Sequence, residues 1–204
     1  MAKKNPAKRL FGKILSVLGS ILIISSLLII FYTFAPAIRQ EITYESRGVL
    51  NIGYKNLTPP NTDFSIVIPK IGAVAPVFAD VDPLDPKKYL PVLKKGVAHA
   101  KGTAFPGELG NTYLFAHSTD AFYNVGRYNA VFYLLGKLKK GDEIEIYYKG
   151  EKIKYGVNEV KVVEPTAIKY LGKIDDGRTL TLQTCYPPGT TLKRLVVVAS
   201  QLNN

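Results

Sequence analysis

Residues 178–198 read RTLTLQTCYPPGTTLKRLVVV, and the fold is decided by how this stretch is read. Leu180 and Leu182 alternate with Thr179, Thr181 and Gln183, the period of two expected of a strand with one face buried. The strand breaks at Tyr186-Pro187-Pro188-Gly189, and a second apolar run follows from Lys193 to Val198. Two strands joined by so short a link are ordinarily antiparallel neighbours. Cys185 at the end of the first would then lie close to Arg194 near the start of the second. If Leu180 and Leu182 face the core, Cys185 has the opposite parity.

Working outward, similar β-rich runs occur at Phe64–Ile68, Tyr113–Ala116, Glu143–Tyr148 and Lys152–Val163, separated by Gly, Pro, Asn and Asp. Lys149-Gly150-Glu151 reads as a hairpin turn. Helical signals are short: Pro86–Lys95, Asn129–Leu138 and Pro165–Leu171. This pattern predicts a mainly β fold, a barrel or sandwich with small helices.

A chain of 204 residues accommodates one domain of roughly 150 residues plus an appendage. The formal net charge is +11, which by itself suggests an anionic partner such as nucleic acid. Its distribution argues otherwise. Residues 1–40 hold six basic side chains and no acid, whereas the remaining 164 carry 21 basic against 16 acidic, a net +5. No charge interrupts the 25 residues between Lys13 and Arg39. As a helix, Ile14–Ala35 would span about 33 Å at ~1.5 Å per residue, enough for a hydrocarbon core of about 30 Å. Five basic residues precede it, so the positive-inside rule places the N-terminus in the cytoplasm and the rest outside. A cleavable signal peptide is the alternative, with Ala35-Pro36-Ala37 as a small-residue cleavage site. The apolar run exceeds the ~7–15 residues of a signal core, which favours a retained single-pass anchor in the cell membrane. The expected organisation is a basic cytoplasmic tail (1–13), a transmembrane helix (14–35), a linker (36–61) and a β domain (62–204). Nucleic acid is not an expected partner.

One cysteine excludes an internal disulfide and a Cys-rich zinc site. A lone cysteine is ordinarily a small buried hydrophobe, but Cys185 adjoins a loop and a cation, in a domain expected outside the cell where unpaired thiols are unusual. A nearby arginine favours the thiolate. Only His99 and His117 could serve as its proton partner. His117 closes the run Asn111–Ala116 beside a polar loop, the kind of element end where catalytic groups gather. His99, within Gly96–Gly102, remains open as a structural histidine or the alternative imidazole.

Thr181-Leu182-Gln183-Thr184-Cys185 followed by Arg194-Leu195-Val196-Val197 resembles the TLxTC…R signature of the sortases. Ile68-Pro69-Lys70-Ile71 resembles the segment that opens their core. Gly96-Val97-Ala98-His99, with Gly102-Thr103 and Phe105–Asn111, resembles their GvgH…GT.lPGe.GN stretch. Leu138–Ile144 resembles their LkkGDeI turn. Together, in order along the chain, these motifs cover about residues 64–199. The resemblance implies a closed eight-stranded β-barrel preceded by the transmembrane helix. It also implies a cysteine transpeptidase with Cys185 as nucleophile, His117 as its histidine partner and Arg194 on substrate and oxyanion. Thr184 would lie beside the substrate. No cofactor is implied. The implied partners are secreted proteins bearing an LPxTG-like sorting signal and an amine acceptor, either a cell-wall peptide or a pilin lysine. Ala116-His117-Ser118 departs from the family's frequent Gly-His-Arg, which bears on substrate contacts more than on the imidazole.

Asp80, Asp82 and Asp85 read as turn and cap residues instead of a calcium loop, so no metal is expected. Residues 41–63 lack the Asp-Pro-aromatic lid motif of pilin-polymerising sortases. Two rivals remain at this point: another Cys/His acyltransferase such as an L,D-transpeptidase, and a non-catalytic wall-binding β domain. The first would place its histidine shortly before the cysteine in a Ser/Gly-rich motif. The second needs no Cys, His and Arg together.

Overall fold

Lys149 and Gly150 adopt φ of 51° and 83°, the left-handed pair of a two-residue hairpin turn. In the computed structural model they join β5 (Glu143–Tyr148) to β6 (Glu151–Val163) in an antiparallel pair. Residues 6–49, 54, 57–118, 130–172 and 177–202 are described. The other strands are β1 (Phe64–Ile68), β2 (Ala73–Val81), β3 (Val97–Ala100), β4 (Gly110–Phe115), β7 (Arg178–Tyr186) and β8 (Lys193–Gln201). Hydrogen bonding runs β1-β2-β3-β4-β7-β8-β6-β5 and closes back onto β1, so the eight strands form a closed barrel. Closure removes the sheet edges that would otherwise template aggregation.

Two pairs are parallel, β2/β3 and β4/β7, and parallel neighbours need a crossover. The first crossover carries α2 (Pro86–Leu93). The second runs through a 3-10 turn at Tyr133–Lys137, the β5–β6 hairpin and another 3-10 turn at Ile168–Tyr170. Alternation then sorts side chains into two cores. Ile66, Leu114, Ile144, Tyr155, Leu180, Leu182 and Val197 fill the barrel. Tyr113, Phe115, Val196 and Val198 point outward and pack beneath Leu93 of α2 and Tyr170. That outer cluster gives the β4–β7–β8 surface a covered side, against which a cleft forms.

Strands β2 and β3 fall where the sequence reading identifies none. Ala73, Ala75 and Pro76 are poor strand formers, and β3 is only four residues long. Ala73, Ala75 and Val77 nonetheless alternate into the barrel core, so tertiary pairing overrides propensity. Gly96, just before β3, allows the chain to pass close to β2, since a Cβ there would lie 2.4 Å from the Pro76 carbonyl oxygen. The helix expected over Pro86–Lys95 ends at Leu93, and those over Asn129–Leu138 and Pro165–Leu171 shrink to 3-10 turns; residue 129 lies outside the described residues.

The N-terminal α1 runs from Pro6 to Val49. Within it, Leu10–Tyr32 is long and apolar enough to cross a membrane, and none of it is buried against the rest of the chain. The first part of the expected linker is helical instead, through Val49. Residues 38–47 contain neither Gly nor Pro to stop a helix, and the final turns dock on the barrel. Lys137 Nζ lies 2.6 Å from Glu41 and 3.3 Å from Glu45, and sits over the Tyr44 ring at 5.4 Å. The two carboxylates raise the Lys137 pKa.

Candidate active site

The β7/β8 register sets Cys185 directly opposite Arg194. Cys185 is half-buried and carries a free thiol. Arg194 is held by its own loop, with Nη1 donating to the carbonyls of Thr191 and Lys193, both at 3.0 Å. Three further guanidinium N–H groups remain on a side chain that lines the cleft.

His117 reaches the same place from β4. The parallel β4/β7 ladder pairs Phe115 with Gln183, and the backbone N–H of Ala116 donates to the Gln183 carbonyl at 3.2 Å. Thr184 Oγ1 donates to the Ala116 carbonyl at 2.9 Å, and the N–H of Phe132 donates to the His117 carbonyl at 3.3 Å. The backbone of His117 is therefore fixed on both sides before the chain enters residues 119–129, which lie outside the described residues. The Thr184 hydroxyl faces the barrel interior and is nearly fully buried, as the shared parity of Leu180, Leu182 and Thr184 requires. It ties β7 to the strand end that carries His117. Ser118, where the family often has arginine, is buried as well.

Cys185, His117, Arg194 and Thr184 all line one cleft of about 460 Å³. Its walls include Leu84 just before α2, Leu90 within it, and Ile168 and Leu171 of the second crossover. Among the described lining residues Arg194 is the only Lys, Arg, Asp or Glu. The wall from the two crossovers was not visible in the sequence, because it depends on which connections pass over the β4–β7–β8 surface. Tyr113 and Gln183 also line the cleft and also went unread. The signal for Gln183 was present: it has the parity of Cys185.

His99 occupies a different environment. It is fully buried in β3. The backbone N–H of Asp80 donates to its Nδ1 at 3.3 Å, while Nε2 lies 3.1 Å from the Ala104 carbonyl and 3.0 Å from Thr103 Oγ1. Because Nδ1 accepts, the proton belongs on Nε2. Its ring stacks on Phe105 with centroids 4.7 Å apart. Burial depresses its pKa, against the opposing pull of the Ala104 carbonyl and the Asp80 and Glu108 carboxylates. His99 does not line the cleft.

The three aspartates have local roles. Asp85 caps α2, its Oδ1 accepting from the Lys87 N–H at 3.0 Å. Asp82 Oδ1 accepts from the Leu84 N–H at 3.1 Å, and Lys88 lies between Asp82 and Asp85.

Comparison with known proteins gives a consistent result. Residues 66–202 match the family model described as the sortase domain. Sortase D of Bacillus subtilis (strain 168) is 28% identical over 138 residues, which cover 66% of this chain and 61% of that protein. The chain thus spans about three fifths of this curated relative's length. Among solved structures, sortase C1 of Group B Streptococcus Pilus Island 1 matches with a TM-score of 0.58 at 28% identity, covering 69% of this chain and 64% of the other. A sortase D5 transpeptidase of Clostridium perfringens matches with a TM-score of 0.57 at 28% identity, covering 78% and 88% respectively.

Proposed function

The chain belongs to the sortase family, and from that premise we propose that it acts as a membrane-anchored cysteine transpeptidase on secreted proteins bearing an LPxTG-like sorting signal. The observation that carries the reading is the strand register that faces Cys185 with Arg194 while β4 delivers His117 to the same cleft. In the reaction, the Cys185 thiolate attacks the scissile carbonyl carbon and forms a C–S bond. Arg194 stabilises the charge that develops on the carbonyl oxygen. As the C–N bond breaks, His117 gives its proton to the departing amine, leaving a thioester on Cys185. A second amine then attacks the thioester, His117 takes up its proton, and the thiolate leaves. Thr184 acts in this scheme as the tie that holds the His117 strand end.

Leu84, Leu90 and Ile168 are exposed in the walls of the cleft. Unfilled apolar surface of this kind suits the uncharged side chains of such a signal. The acceptor is an amine of the cell wall or of a pilin. The apolar part of α1 crosses the membrane with the basic tail in the cytoplasm, which holds the barrel where both substrates emerge.

Mass spectrometry of the full chain after incubation with a library of LPxTG-type peptides tests the reading, with Cys185→Ala as control. A thioacyl adduct on Cys185 and release of the C-terminal fragment are expected. Folded protein that gives neither product across the library would overturn it.

A further inference from the structure

Gln183 precedes Cys185 by two positions on β7, so both side chains leave the same face, about 6.7 Å apart along the strand. Its neighbours across the ladders are Phe115 on β4 and Val196 on β8. In that row across the cleft floor Gln183 is the one side chain able to form hydrogen bonds. Tyr113, itself 3% exposed, donates its hydroxyl proton to Gln183 Oε1. Burial also raises the Tyr113 pKa, although the Arg194 charge opposes this, so the phenol remains a donor. This is the side-chain hydrogen bond that the described residues give Gln183. With its oxygen committed to the floor, the amide presents its nitrogen, which carries two protons and can only donate.

The two ends of the cleft differ. Beyond Cys185 the strand runs into Tyr186–Gly189, which is exposed. Behind Cys185, Gln183 and, one row on, Tyr113 lie on the side of the cleft walled by α2 and the second crossover. In a two-step transfer the acyl half of the peptide must stay bound while one amine leaves and another enters. Fixed contacts therefore belong on the covered side, and exchange on the open side. An extended peptide rises about 3.3 Å per residue, so 6.7 Å corresponds to two residues.

We propose that Gln183 and Tyr113 form a substrate-positioning pair. Gln183 Nε2 donates to the peptide carbonyl two residues upstream of the reacting one, and Tyr113 holds the amide in its donating orientation. The assignment rests on the transpeptidase reading and adds a backbone contact to it. A main-chain acceptor is present whatever side chain the peptide carries, so the pair sets alignment and not side-chain preference.

Steady-state kinetics of the full chain in detergent can test this with Gln183→Met (similar size, no donor), Gln183→Glu (same shape, acceptor only) and Tyr113→Phe. Each would be assayed with a cleaved LPxTG-type peptide and with its analogue bearing an alkene in place of the upstream amide. A single lost hydrogen bond predicts a KM about 3- to 10-fold higher in both Gln183 variants, with kcat within about twofold. Tyr113→Phe should shift KM the same way by less. The alkene peptide should penalise wild type by a similar factor and add no further loss to Gln183→Met. Alkylation of Cys185 by iodoacetamide, which reads thiol reactivity without peptide, should be unchanged in Gln183→Met and Tyr113→Phe. Thermal melting should show all three variants folded, with a midpoint lowered only by the loss of the buried Tyr113–Gln183 hydrogen bond. An active wild type whose KM is matched within twofold by both Gln183 variants overturns the pair alone. So does an alkene penalty as large in Gln183→Met as in wild type. A folded wild type with no adduct and no cleavage overturns the transpeptidase reading and the pair with it.

Discussion

The two histidines of this chain stand on opposite sides of the same strand neighbourhood, β3 beside β4, and differ in almost every physical respect. His99 is sealed into β3, with both ring nitrogens partnered, its face stacked on Phe105 and the Phe64 ring 5.9 Å away. His117 lies two residues past Phe115, where β4 ends, half-buried, on the wall of a cleft shared with a thiol and a guanidinium. A ring whose polar atoms are all committed to backbone and hydroxyl groups organises structure. A ring at a strand end, with its backbone fixed on both sides, can be positioned for proton transfer.

The largest effect expected from this contrast comes from exchanging the losses. His117→Ala should lower peptide cleavage by on the order of 10²- to 10⁴-fold, the usual contribution of a positioned acid–base group. Its melting temperature should stay near that of wild type. His99→Ala should do the reverse. It removes the acceptor of the Asp80 N–H and one of the hydrogen bonds of Thr103, which keeps those to Ala100 and Tyr113, at a cost of roughly 0.5–1.5 kcal/mol per bond. It also empties the space against Phe105, while turnover of the folded fraction stays close to wild type. Paired measurements of melting and initial rate read both quantities. Equal rate losses in the two variants would erase the distinction.

A smaller effect concerns pH. His99 has a folded-state pKa below the ordinary 6.5 because burial disfavours the imidazolium. As pH falls below about 6.5 the unfolded chain takes up a proton that folded His99 refuses, so stability declines with acidity. The loss stops once the folded-state pKa is passed. Within that window His99 contributes a slope of up to about 1.4 kcal/mol per pH unit, and at pH above 6.5 its contribution is fully present. Protonation of Nδ1 would also break the bond from the Asp80 N–H. Denaturant unfolding at a series of pH values, comparing wild type with His99→Gln, should show a shallower acid decline in the variant. Identical slopes would mean that His99 does not titrate across unfolding.

The juxtaposition of Cys185 and Arg194 is legible in the sequence, for a definite reason. Cys185 and Arg194 lie on two strands joined by a short link, where the period of two and antiparallel pairing leave little freedom. The role of His99 was left open because its satisfaction depends on Asp80 and Thr103. Asp80 comes from β2, and β2 is concealed by Ala73, Ala75 and Pro76, residues that form a strand here because β1 pairs with them, while β3 pairs with the end of β2 from Val77 to Val81. The cleft walls were hidden for a related reason. Leu90 and Ile168 belong to crossovers whose path over the barrel is set by strand order, and strand order is a non-local property. The helical continuation of α1 to Val49 was missed because residues 38–47 have no apolar stripe of their own. They are held instead by Lys137, almost a hundred positions away.

The smallest expected effect lies in the segment that links the two histidine environments. Asp80, whose N–H serves His99, is followed within a few residues by Asp85, which caps the helix that walls the His117 cleft. Asp85→Ala removes the acceptor for the Lys87 N–H and the carboxylate beside Lys88. Loss of a cap of this kind costs about 1 kcal/mol, and the exposed ion pair adds little. The frayed turn would loosen Tyr89 and Leu90 in the cleft wall while leaving the Asp80–His99 bond in place. A KM raised by a few-fold is therefore expected, with kcat and the pH slope of unfolding unchanged. Asp85→Asn and Asp85→Ser, which restore a capping oxygen without the charge, should recover most of the KM. If neither recovers it, the carboxylate acts through charge, and the separation between a cleft wall set by helix capping and a histidine set by β2 would have to be redrawn.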